Sequence, residues 1–111
     1  MKIQELANIL GAETLQAGGD DAEVAGGYAS DLLSDVMANA KTGDALITIQ
    51  AHRNTVAVAV LIGAPAIVIC NKRPIPADML EAAREEGIAV ILTKLNQFEV
   101  SGRLWQALAA K

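Results

Sequence analysis

The residues from Ala45 to Cys70 read ALITIQAHRNTVAVAVLIGAPAIVIC. Two parts of this stretch, Ala45–Gln50 and Ala66–Cys70, are short runs rich in Ile and Val, the pattern of strands covered on both faces. Between them lies Thr55–Ile62, where Val56, Val58 and Val60 alternate with alanine or its equivalents. Taken alone, that alternation reads as a strand. Its position argues otherwise. If the flanking strands run parallel, they need a crossover of about a dozen residues, normally a helix. The 15 residues from Ala51 to Pro65 suit that need, with Asn54 as an N-cap and Gly63 as a stop. The sequence therefore predicts a buried helix over Thr55–Ile62.

The same alternation continues outward on both sides. Upstream, Ser30 or Asp31 is expected to cap a helix carrying Leu32, Leu33, Val36 and Met37, which follows an extended segment from Glu23 to Ala29. Ile3, Leu6, Ala7 and Leu10 fall on one face of a first helix, which Gly11 stops, and Ala12–Ala17 is a weaker strand candidate. Downstream, Pro74 and Pro76 open a helix with Pro76, Met79, Leu80 and Ala83 inward, and Ile88–Leu92 is a further apolar strand. Thr93 or Asn96 opens a last helix, with Val100, Leu104, Trp105 and Leu108 as its expected buried stripe. Strand and helix in alternation mean α/β: a layered, mainly parallel sheet flanked by helices, in a single domain over residues 1–111.

Composition narrows the function classes. A chain of 111 residues can bury a core without disulfides or metal. Just over half of it is apolar, yet Tyr28, Phe98 and Trp105 are the only aromatic residues, so the core is aliphatic. That excess is enough to cover part of a subunit interface as well. The net charge of −4 argues against a nucleic-acid partner, which needs a basic face. Cys70 stands alone, so neither a disulfide framework nor metal-ligand spacing is present, and a reducing cytoplasm fits. The opening MKIQELANIL lacks a secretory apolar core, and Gly63 and Pro65 break the longest apolar run, so no membrane span is expected.

Ligands of open parallel sheets lie beyond the carboxyl ends of the strands. That rule gathers Ser30 and Asp31, then Gln50, His52 and Asn54, then Asn71 with Lys72-Arg73, and finally Thr93 on one rim. Each set precedes a helix N-terminus, whose N–H groups favour anions. A small anionic metabolite or nucleotide is the ligand class this implies. Catalytic signatures are missing. Gly26-Gly27 continues into neither a P-loop nor a dinucleotide fingerprint, and Ser30 is not in a nucleophile elbow. His52, the single histidine, has no matched nucleophile in sequence. Hydrolysis or phosphotransfer through His52 and Asp31 is the catalytic alternative. No metal site and no cofactor are expected, and the Asp20-Asp21 pair reads as a solvated turn.

The segment GGYASDLLSDVMANAKTGDALITIQAHRNTVAVAVL, Gly26 to Leu61, resembles the DRTGG domain family in its small stand-alone form. The resemblance runs from Ile3 through Trp105. Of the signature that names the family, Gly26 and Gly27 stand here, with Ala25 in the place of threonine. The family is similar to the amino-terminal domain of HPr kinase/phosphorylase, an α/β layer fold without the kinase's P-loop domain. It is also fused to phosphate acetyltransferases and to CBS-pair pyrophosphatases. The resemblance implies a regulatory, dimer-forming module without catalysis. It also implies, as the other reading, an interaction subunit docking on a hydrogenase-like iron–sulfur enzyme or a signalling kinase. A looser likeness to the amino-terminal domain of Mur ligases covers Ala29-Ser30-Asp31, Gly43–Leu46 and Gly63–Ala66, which in that family frame a uridine nucleotide.

Overall fold

The computed structural model describes residues 1–111. The chain runs α1 (Ile3–Leu10), β1 (Glu13–Gln16), β2 (Gly26–Ala29), α2 (Leu33–Asn39), β3 (Asp44–Thr48), α3 (Arg53–Ile62), β4 (Ala66–Ile69), α4 (Ala77–Glu86), β5 (Ala89–Leu92) and α5 (Gln97–Ala109). The five strands form one sheet in the order β1-β5-β4-β3-β2. β2, β3, β4 and β5 are parallel, and β1 closes one edge antiparallel to β5. The fold class is thus the α/β layered sheet that the alternation predicts.

Thr55–Ile62 is helical, as the crossover argument requires. α3 joins the parallel neighbours β3 and β4 and buries Thr55, Val56, Val58 and Ala59. It stops at Gly63, whose φ of 75° is a left-handed conformation that glycine adopts without strain.

Strand residues alternate between two cores. On one face Leu46, Ile67, Ile69, Ile88 and Val90 meet α2, α3 and α4 through Val36, Val56, Ala59, Met79 and Ala83. On the other, Ala45, Ile47, Ala66, Val68, Ala89 and Ile91 meet α1 and α5 through Leu6, Leu10, Val100 and Leu104. Each fully buried branched side chain contributes about 1.5–3 kcal/mol relative to exposure. The second face carries a row of small residues. The register pairs Gly27 with Ala45 and Ala66 with Ala89, and Leu46 opposite Ile67 sets Ala45 beside Ala66. This trough admits the helices closely. A Cβ added at Gly27 would lie 2.8 Å from Leu104 Cδ2 and 3.3 Å from Ile47 Cδ1.

Several expected details are corrected. Trp105 is not part of the buried stripe of α5; it is 80% exposed. Val100 and Leu104, at i and i+4, define the inner stripe, and position 105 is turned about 100° away from it. Pro76 is exposed and is the N-cap of α4 rather than part of its inner face. Neither Ser30 nor Asp31 caps α2, whose N-cap position is Leu32, and Asn54 lies inside α3, whose N-cap position is His52. Of the two residues proposed to open α5, Asn96 is the cap: it accepts from Glu99 N while Glu99 returns a bond to Asn96 N. Thr93 is not a cap.

Candidate functional site

The carboxyl ends of β2, β3, β4 and β5 form one rim, and Asp31 ties part of it together. Its Oδ1 accepts from Thr48 Oγ1 and Ile49 N, each at 2.9 Å, and from Gln97 Nε2 at 2.7 Å. Its backbone carbonyl accepts from Gln50 Nε2 at 2.9 Å. A single side chain, two positions past the end of β2, therefore joins the end of β3 to the first turn of α5. Ser30 supports it from behind: its N–H donates to Ile47 O, and its hydroxyl accepts from Leu32 N. Thr48, fully buried, donates to Asp31 and accepts from Gln50 N.

The loop after β4 has unusual backbone geometry. Asn71 and Lys72 are consecutive non-glycine residues at φ 59° and 50°. A lysine in the left-handed region is uncommon, and such conformations persist only where the surroundings hold them. Here the Asn71 N–H donates to Leu95 O at 2.9 Å and the Lys72 N–H to Thr93 O at 2.8 Å. The loops after β4 and β5 are thereby bound together, and Asn71, Lys72 and Arg73 are all exposed.

The residues singled out in sequence fall into three groups. Ser30, Asp31 and Gln50 are brought together in the bonded cluster. His52, Asn54 and Asn71 stand exposed along the rim, with no side-chain hydrogen bond to one another or to Asp31. Thr93 is buried, and its hydroxyl accepts from Leu95 N. Sequence reasoning missed Thr48 and Gln97, the partners of Asp31; Gln97 is 66 positions away and carries no local signal. It also undervalued the cations. Arg53, Lys72, Arg73 and Lys94 are four of the nine Lys and Arg, and all stand at this rim. None forms an ion pair. Asp31 is the one carboxylate in these loops; Arg53 stands in the first turn of α3, and the first turns of α2, α4 and α5 at the same end carry Asp35, Asp78 and Glu99. Cys70, at the end of β4, is inert there: burial, with the Asp31 charge behind it, pushes its thiol up to about 11.

A groove of about 650 Å³ lies elsewhere, along the outer edge of β2. Gly26, Gly27 and Ala29 form its floor, Leu104, Trp105 and Leu108 of α5 one wall, and Asn39, Lys41 and Asp44 the other. Tyr28 also lines the groove, and its hydroxyl donates to Asp35 Oδ2 of α2 at 2.8 Å.

With the fold and the rim in view, the glycine pair of β2 acquires a family context. The family model described as the DRTGG domain matches residues 5–107. The chain belongs to the DRTGG domain family. A stretch of 40 residues is 40% identical to HPr kinase/phosphorylase of Streptococcus uberis, covering 36% of this DRTGG domain and 13% of that enzyme. Among solved structures it is similar to the CBS and DRTGG domains of the regulatory region of Clostridium perfringens pyrophosphatase, complexed with the activator diadenosine tetraphosphate. The TM-score is 0.77 at 17% identity, over 96% of this chain and 47% of that one. The chain thus spans about an eighth of the curated relative and about half of the solved one. No helix of the domain is long and apolar enough to cross a membrane, and no group of three or more His, Cys, Asp or Glu is placed to hold a metal ion.

Proposed function

We propose that this DRTGG domain is a regulatory, ligand-sensing module that works without catalysis, as a homodimer, and takes a small anionic metabolite or nucleotide at the rim. The observation that carries this is a set of cations without ion-pair partners. A chain of net charge −4 places Arg53, Lys72, Arg73 and Lys94, unpaired, around one set of strand ends. Unpaired cations beside helix N-termini favour phosphate and carboxylate groups. In this reading His52, Asn54 and Asn71 supply polar contacts to the non-anionic part of the ligand. The Ser30–Asp31–Gln50 cluster holds the walls in place, and Thr93 fixes the loop beneath. The regulatory region that shares the fold was solved with a dinucleotide activator bound, which agrees with a nucleotide as the first class to test.

A ligand that binds only the folded state raises stability by mass action, about 2.7 kcal/mol at a hundredfold excess over Kd. Adenine mono- and dinucleotides and phosphorylated metabolites at millimolar concentration are expected to raise the melting temperature. The shift should vanish in Lys72→Glu/Arg73→Glu, both exposed positions, while the unliganded melting temperature stays near wild type. No shift with any of them would sink the reading.

The exposure of Phe98 (86%) and Leu61 (71%) supports a second reading, a subunit docking on a hydrogenase-like iron–sulfur enzyme or a signalling kinase. Affinity capture from native lysate that recovers only the protein itself counts against it.

A further inference from the structure

The sheet has two edges of opposite character. β1, Glu-Thr-Leu-Gln, carries a charge, and its register slips between Thr14 and Gln16. Charge and irregularity are what keep an edge from pairing with another chain. β2, Gly-Gly-Tyr-Ala, has no charge and no proline and pairs in unbroken register with β3, so its outer edge offers regular backbone donors and acceptors. Trp105 projects beside it, 80% exposed. A large exposed aromatic next to an open strand edge is costly for a monomer and typical of an interface centre.

We propose that a second copy of this chain occupies the groove, β2 pairing antiparallel with β2 about a two-fold axis and joining two five-stranded sheets into one. This rests on the homodimer proposed above and names its surface. Two observations select a second copy over a lone peptide. The groove contains Lys41 and Asp44 and no other charged residue, so it faces itself without net repulsion although the chain as a whole is acidic. α5 lies along β2, so a two-fold at the strand pair brings α5 against α5 and covers Trp105 with the partner's helix. Four strand residues alone fall short of the roughly 800 Å² per partner that a stable pair buries, so a stable pair must cover the helix sides as well. The blocked β1 edge then ends the assembly at two copies, because sheet pairing cannot propagate through it.

Trp105 is the only tryptophan, so its emission reports the interface directly. The test measures native mass and tryptophan emission over a dilution series for the whole chain, alongside Ala29→Lys, Trp105→Lys and Leu61→Lys. All three positions are exposed, and circular dichroism verifies that each variant folds. The expected result is a wild-type dimer whose emission shifts red on dilution. Ala29→Lys and Trp105→Lys should each weaken dimerisation by about tenfold or more. Leu61→Lys, away from the groove, should leave it intact. A wild-type dimer that survives both groove substitutions overturns this surface while leaving the homodimer standing. A wild-type chain that is monomeric at every concentration overturns both, and the rim's ligand remains separately testable by thermal shift.

Discussion

At the scale of single residues, Asp31 and Gly27 do more than their local sequence suggests. The Ser30-Asp31 step looks like a helix cap, because Ser and Asp before an apolar run usually are one. In the fold Asp31 instead collects three donors from two other elements, including Gln97. No local pattern could show this, since the donors converge only once β3 and α5 are in place. The sequence leaves Gly27 outside any phosphate-binding motif and does not show the contact it makes. Its missing side chain admits Leu104, which is itself only 2% exposed and has little room to retreat. Gly27→Ala is therefore expected to destabilise the domain by roughly 1–3 kcal/mol, the usual cost of overpacking. A lowered urea midpoint with unchanged slope would show it, and a midpoint at the wild-type value would mean that α5 can lift away freely.

Among the elements, α5 and α3 show how far pattern reading reaches. The start of α5 could be read as Thr93 or Asn96, and only the reciprocal bonds between Asn96 and Glu99 decide for the latter. Asn96→Ala should cost about 1 kcal/mol, and Asn96→Asp should restore most of it, since either side chain accepts from the Glu99 N–H. Paired urea titrations of the three proteins measure this; equal midpoints would mean that the cap contributes nothing. The inner stripe of α5 was legible at Val100 and Leu104 but over-extended to Trp105. Apolarity told which residues could be buried, not how many of them the sheet could cover. In α3 the local Val–Ala alternation favours a strand, and the parallel crossover outweighs it.

For the molecule as a whole, stability should depend on pH through three side-chain bonds. Glu23 accepts from the amino terminus and from Lys2, and these bonds hold its carboxyl below the ordinary 4.5. Asp35 is held below 3.8 chiefly by the Tyr28 hydroxyl, and the same bond raises the Tyr28 phenol above 10.0. A lowered carboxylate contributes stability above its unfolded value and loses it as pH falls through its folded one. A raised phenol contributes below its unfolded value and loses it as pH rises through its folded one. Stability should therefore be level between about 5 and 9 and decline outside that window. The difference between wild type and Tyr28→Phe should be constant across the plateau and shrink once Asp35 protonates. Urea midpoints against pH test this, and a difference unchanged at pH 3 would refute it. What the sequence by itself determined is the layer plan: the apolar runs of β3, β4 and β5, the stops between them, and the requirement that parallel neighbours be joined by a helix. Tertiary structure alone decided the rest. It gathered unpaired cations on one rim and left β2 open with Trp105 beside it. The physical reason is that periodicity reports which side of an element is apolar. Which elements become neighbours, and so which donors, charges and edges remain unmatched, depends on chain segments far apart in sequence.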